Sequence, residues 1–414
     1  MFSRVALTHR HFEELLQRLI REPNAIAVCP VGTSHLVGSR GYLVGAVEWI
    51  PRPISSTSDL VVFRIAPRGV DPAGVVRAEL SRFPSRGEGA VVVLSMAQDT
   101  VSFAGQTSCC EHAAPLDAVD IVGPGLPRIG GMRQQRDAVV ELPDDDRWSR
   151  TAGALGESTW RRLTQLNLAI IGCGRNGSLM ATSLARAGAK SIALIDPDHL
   201  EAHSLAEGDF AEADLASSKA VAVQNFMMRL PRAEGLEITG IAESVFALPA
   251  LAAIKQADMV ICCVDNAAAR HAAAFLAKIY MKPILDVGTG ILNTPQRPMG
   301  ADIRLVLPDR CLLCVGGIPG LETAHREDTL PWNARRAGSL RSLNQIATGF
   351  ALRMLEDFVG GRLRDHSWLQ LDYGSSGVPR LLPATTPPSS ACPVCDLSTV
   401  GDFALSQYSR SLTA

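Results

Sequence analysis

The chain has 414 residues, 47 % of them hydrophobic and 20 % charged, with a formal net charge of −2. That length is too great for one ordinary domain, so two or three are expected in a globular protein. With no basic block and no apolar stretch long enough to cross a bilayer, neither nucleic acid nor a membrane is indicated as a partner.

The first residues, Met1 to His9, lack the apolar core of a signal peptide. Ten cysteines, four of them in tight pairs, fit a reducing compartment where thiolates bind metal. A cytoplasmic location is therefore expected.

Residues 1–140 read as a smaller α/β domain. Phe12, Leu15, Leu16, Leu19 and Ile20 recur at helical spacing within His11–Arg21. Strand-like runs follow at Ala25–Cys29, Tyr42–Ile50, Leu60–Ile65 and Ala90–Leu94, with a helical pattern at Pro72–Phe83. The acidic turn Pro143–Asp146 reads as a linker.

From Arg147 onward strands and helices alternate, which predicts a Rossmann-like, doubly wound parallel sheet over 147–414. Leu168–Ile171 is a strand that leads into Gly172-Cys173-Gly174-Arg175-Asn176-Gly177 and a helix through Ala187. Ser191–Ile195 is a strand ending at Asp196-Pro197-Asp198, and a helix covers Ser218–Arg229. Met259–Val264 ends at Asp265-Asn266, and Pro283–Asp286 is a further short strand. The Pro/Thr/Ser stretch 383–390 is a loop before the second cysteine pair.

Gly172, Gly174 and Gly177 would let the backbone approach a phosphate at the positive end of the following helix. Asp196, nineteen residues after Gly177, suits a ribose hydroxyl, and a nicotinamide-dependent dehydrogenase would show the same pair. Asp198, Lys219 and Asp265 add two carboxylates and a cation that can converge at the carboxyl edge of the sheet. Attack on an α-phosphate needs such a cation and a carboxylate-held Mg²⁺, whereas hydride transfer needs neither. Cys311, Cys314, Cys392 and Cys395 form two Cys-x-x-Cys pairs, the pattern of a closed structural Zn²⁺ site.

Taken in order, these motifs resemble the ThiF/MoeB/ubiquitin-activating (E1-like) superfamily over roughly 147–398. The segment Arg147-Trp148-Ser149-Arg150 stands where that family has its short Arg-containing opening. Asp196-Pro197-Asp198-His199-Leu200-Glu201, Ser217-Ser218-Lys219-Ala220, Val264-Asp265-Asn266 with Arg270, and the zinc staple follow. The resemblance implies ATP as substrate, Asp196 on the ribose, Lys219 on the phosphates and Asp265 on magnesium. It also implies Arg150 as an arginine finger that reaches the nucleotide of a second copy, hence a homodimer.

Two departures stand out. Where the family has Ser-Asn-Leu-Asn-Arg-Gln, this chain has His203-Ser204-Leu205-Ala206-Glu207-Gly208, so the phosphate-binding arginine is replaced by Glu207. Arg175, in place of a usual glycine, is expected to supply the missing charge. The second departure is that residues 315–341 contain no cysteine to take up an acyl group. The protein then either stops at the acyl-adenylate, or forms an oxyester on Thr329 with His325 nearby as base, or uses Cys109/Cys110. Cys173, Cys262 and Cys263 read as packing residues.

The N-terminal domain vaguely resembles the JAB/MPN metalloprotease fold. The strand end at Leu94–Ala97 lacks the histidines of its metal site, so either an inactive docking or dimer module or an unrelated α/β partner-binding domain is expected. The fusion and the Glu207 departure resemble activating enzymes of bacterial ubiquitin-like conjugation operons, often linked to phage defence. That resemblance implies a ubiquitin-like protein and an E2-like conjugating enzyme as partners. The alternatives are a sulfur-carrier adenylyltransferase for thiamine or molybdopterin synthesis, an NAD-dependent oxidoreductase, and a nucleotide-binding pseudoenzyme.

Overall fold

A computed structural model of the chain describes residues 3–34, 40–49, 60–67, 69–81, 89–97, 100–109, 112–130, 146–230, 235–316, 318, 338–374, 377–384, 392 and 394–405. Two compact units divide the chain. The first comprises Met1–Asp144, Ile279–Met281 and Leu397–Ala414, and the second Asp145–Lys278 and Lys282–Asp396. Among the described residues no helix is long and apolar enough to cross a membrane.

The first unit runs β1 (Ser3–Thr8), α1 (His9–Arg21), β2 (Ala27–Ser34), β3 (Arg40–Val44), β4 (Glu48–Trp49), β5 (Leu60–Ile65) and α2 (Pro72–Leu80). It continues with β6 (Gly89–Ala97), β7 (Thr100–Cys109), β8 (His112–Pro115), β9 (Ala118–Val122) and β10 (Arg128–Gly130). The strands pair in the order β10-β9-β1-β3-β2-β5-β6-β7-β8, with β4 beside β2. Period-2 alternation sends Val61, Phe63 and Ile65 of β5, with Ala90, Val92 and Leu94 of β6, into one core with Phe12, Leu15 and Leu19 of α1. Their neighbours Val62, Val91 and Val93 pack on the other face with Val76 of α2. Thr8 caps α1 through the His11 amide, and Asp71 caps α2 through Ala73 and Gly74. The C-terminal segment lies against β2. A Cβ on Gly32 would fall 1.6 Å from the Thr399 carbonyl oxygen, so only glycine fits there.

The second unit begins with α3 (Ser149–Leu155), α4 (Glu157–Gln165), β11 (Asn167–Ile171), α5 (Arg175–Arg186), β12 (Ser191–Ile195), α6 (Lys219–Met228) and β13 (Glu237–Ile241). It continues with α7 (Leu248–Gln256), β14 (Met259–Cys262), α8 (Ala267–Ile279), β15 (Ile284–Ile291), β16 (Met299–Val306), α9 (Arg341–Val359), β17 (Ser367–Asp372) and β18 (Arg380–Pro383). The sheet order is β13-β12-β11-β14-β15-β16-β17-β18. The first five strands are parallel in the Rossmann order, and the last three are antiparallel. Leu168–Ile171 and Met259–Cys262 are buried throughout, which is the mark of strands covered on both faces. The strand order reverses between β11 and β14, and ligands of open α/β sheets bind at the carboxyl side of that point.

Candidate functional site

The turn after β11 is built at this reversal. Gly172 has φ +87°, and a Cβ on it would lie 2.9 Å from the Cys263 carbonyl carbon at the end of β14. A Cβ on Gly177 would lie 1.9 Å from the Gly172 carbonyl oxygen. Both positions therefore require glycine, the first for its backbone angle and both for close approach. Gly174 has open space around it and caps α5 with no side-chain bond, leaving the first amides of that helix for a ligand.

Asp196, at the end of β12, is buried and ties two segments together. Its Oδ2 accepts from the Cys173 amide at 2.7 Å, and its Oδ1 accepts from the Asp198 amide at 2.8 Å. Burial pushes its carboxyl above the ordinary carboxylate range, opposed by those amides and by the Lys219 charge. Lys219 opens α6 and its Nζ donates to Asp198 Oδ2 at 2.8 Å. Burial works against its charge, but the Asp198 bond and the fields of Asp196, Asp198 and Asp265 outweigh it and hold the ammonium above its usual range. Asp265, exposed after β14, lies 4.0 Å from the Arg175 guanidinium across the loop.

The structure thus brings Gly172, Gly174, Gly177, Arg175, Asp196, Asp198, Lys219 and Asp265 to one sheet edge. Arg150 is not among them. Trp148, two residues before it, donates to the Arg186 carbonyl at 3.0 Å, at the far end of a helix about 18 Å long. Thr329, His325 and Cys110 lie outside the described residues, as does the Cys109 side chain. Cys173, Cys262 and Cys263 are buried, and burial raises their thiols. The same cause pushes Cys29 in the first unit up to about 12. None of these four offers a thiolate.

Arg270 is held away from solvent by a buried network. Its Nε donates to Asp286 at 2.8 Å, and Arg304 donates to the other oxygen of Asp286 at 2.9 Å. Asp286 is fully buried, so the two guanidiniums compensate one carboxylate inside the fold. Sequence reasoning also missed Arg341, at the start of α9, which donates to the Gly208 carbonyl at 2.6 Å and to Asp209 at 2.5 Å. This anchors the segment that carries Glu207, and no local pattern could signal a contact spanning more than a hundred residues.

Cys311, Cys314, Cys392 and Cys395 have their sulfurs within 4.8 Å of one another. The Cys311–Cys392 pair stands at 3.5 Å and the Cys314–Cys395 pair at 3.7 Å. A tetrahedral Zn²⁺ with sulfur ligands at about 2.3 Å needs edges of about 3.8 Å, so four thiolates here fit that ion.

A glycine turn, a helix N-terminus and an acid–lysine set at a strand reversal form the kind of edge at which open α/β sheets take up ligands. Residues 148–326, within the second unit, match the ThiF family. No curated protein is a significant match by sequence. Among solved structures, Escherichia coli MccB with MccA-N7isoASN is similar at TM-score 0.50 and 19 % identity, over 61 % of this chain and 75 % of that one. MccB with AMPCPP and MccA is similar at TM-score 0.50 and 18 % identity, over 62 % and 75 %. At that identity the likeness is one of fold.

Proposed function

We propose that the second unit adenylates the C-terminal carboxylate of a ubiquitin-like protein with ATP. A carboxylate oxygen attacks the α-phosphorus, the bond from that phosphorus to the bridging oxygen breaks, and pyrophosphate leaves. The observation that supports this best is the Asp196–Cys173–Asp198–Lys219 cluster. It pairs a ribose-type carboxylate with a fixed cation beside the helix amides, which hydride transfer to a nicotinamide does not require.

In this reading the amides at the start of α5 and Lys219 bind phosphate oxygens, and Arg175 screens the charge that Glu207 does not. Asp265, exposed beside the loop, would hold Mg²⁺, and that ion would neutralise the departing pyrophosphate. Arg150 acts on the nucleotide of a second copy, since it sits at the far end of α5 in its own chain. The four cysteines hold a structural Zn²⁺. The acyl-adenylate is handed on directly or through an oxyester on Thr329, to an E2-like partner in a bacterial conjugation pathway. The first unit serves as the docking or dimer module.

Because MccB has been solved with MccA, a shorter peptide C-terminus is the second reading of the acyl substrate. ATP–pyrophosphate exchange separates the readings. Exchange that depends on a β-grasp protein with a free C-terminus supports the proposal. Exchange driven equally by a short peptide favours the second reading, and no exchange with either overturns both.

A further inference from the structure

A file of polar side chains connects Glu207 to the first turn of α5. Asn344 Nδ2 lies 3.5 Å from Glu207 Oε2 and 3.1 Å from Ser339 Oγ. Asn344 Oδ1 accepts from the Thr289 hydroxyl at 2.8 Å, and the same hydroxyl oxygen accepts from Asn176 Nδ2 at 3.3 Å. Asn344 is fully buried and Asn176 is 7 % exposed.

The direction of this file is set at one end. A carboxylate only accepts, so Asn344 must turn its NH₂ toward Glu207 and its oxygen toward Thr289. A hydroxyl has one proton, and Thr289 gives it to Asn344, so Thr289 can only accept from Asn176. Asn176 is then fixed with its NH₂ toward Thr289, and its Oδ1 is left buried with no partner. A neutral amide at 207 would allow the whole file to reverse, because Gln can present either end.

We propose that Glu207 is a positioning residue for the glycine turn: through Asn344 and Thr289 it fixes the orientation of Asn176 and with it the first turn of α5. This rests on the reading of that turn as a nucleotide site. Asn176 lies between Arg175 and Gly177, where the turn has no slack, because a single added carbon at Gly177 would collide with Gly172. Reversal of Asn176 would put an unpaired NH₂ where its buried Oδ1 now sits, so the first turn of α5 has to move to relieve it. The charge at 207 acts on the nucleotide indirectly, along a hydrogen-bonded file whose sense only an acceptor can impose.

Affinity for Mg-ATP, measured by calorimetry on the full chain without acyl substrate, tests this in a double-mutant cycle. Glu207→Gln is expected to weaken binding roughly five-fold or more, and Glu207→Asp, which remains an acceptor, to stay within about two-fold of wild type. In a Thr289→Val background, Glu207→Gln is expected to have no further effect. Equal losses from Glu207→Gln with and without Thr289 would overturn the proposal, as would equal losses from Gln and Asp. If Thr289→Val does not fold, the Asp and Gln comparison alone decides. Wild-type protein that binds Mg-ATP but shows no pyrophosphate exchange would count against the proposed function and leave this cycle intact. Failure to bind Mg-ATP would contradict both.

Discussion

The backbone amide of Cys173 donates to the carboxylate of Asp196 at 2.7 Å, which locks the glycine turn to the end of the neighbouring strand. Both oxygens of Asp196 already accept an amide, so Asn at this position would turn an NH₂ against an N–H. Asp196→Asn is therefore expected to weaken Mg-ATP binding by about ten-fold or more while the protein still folds, as read by calorimetry and circular dichroism. The cost of turning a buried acceptor into a donor is about 1–3 kcal/mol, which matches that factor.

Asp196 also predicts a pH dependence. Burial raises its folded-state pKa above the unfolded value, so the native state keeps the proton longer than the unfolded chain does. As pH rises through the interval just above the ordinary carboxylate range, this group lowers stability. Urea denaturation across mildly acidic pH should show that contribution in wild type and not in Asp196→Asn. An unchanged pH slope in the variant would contradict the assignment.

Lys219 gives a slope of the same sign, displaced far above neutral pH. Its folded pKa lies above the unfolded value, so its stabilising contribution is complete below the unfolded pKa and fades only as pH rises through the folded one. It stays charged throughout neutral pH. Lys219→Ala should reduce kcat for pyrophosphate exchange by roughly 10²–10³, the scale of losing one fixed charge at a developing anion. Lys219→Arg should recover part of that loss.

Asp286 is the keystone of a buried pair of ion pairs. Asp286→Ala would strand buried Arg270 without a counter-charge and leave Arg304 only Asp302, a loss of about 3–5 kcal/mol. Chemical denaturation should show it, whereas the exposed Asp265→Ala should leave stability within about 0.5 kcal/mol. A stable Asp286→Ala protein would mean that the network carries little of the fold.

The cysteine cluster predicts one Zn²⁺ per chain by elemental analysis. Cys392→Ser should lower that content and reduce the apparent Tm by on the order of 10 °C, since metal binding to such a site is folding free energy. Chelation of wild type should give the same shift. Four thiols with no metal and no response to chelator would refute the zinc assignment.

The shared sheet edge of the candidate residues was legible in the sequence because most of them sit at or just after the end of a short, strongly apolar strand. Leu168–Ile171, Ile192–Ile195 and Met259–Cys262 are continuous hydrophobic runs, and the residue that follows each is a candidate site residue or leads to one. The antiparallel extension β16–β18 was not legible. Its strands include half-exposed and polar positions, such as Gln370 and Arg380, that carry no clean period. In the first unit, β1 alternates Val5 and Leu7 inward, but six residues beside a helix gave too little pattern to stand out. The contacts of Arg341, Asn344 and Asp286 were hidden for another reason: each joins segments far apart in the chain, where only the fold creates the neighbour.

The central claim is that the edge formed by Gly172, Asp196, Lys219 and Asp265 binds an adenine triphosphate with magnesium rather than a dinucleotide. Titration calorimetry of the full-length protein with Mg-ATP and with NAD⁺ tests it most directly. Saturable binding of Mg-ATP is expected, reduced at least ten-fold in Lys219→Ala, with NAD⁺ bound far more weakly. Tighter binding of NAD⁺, or Mg-ATP affinity indifferent to Lys219, would contradict it.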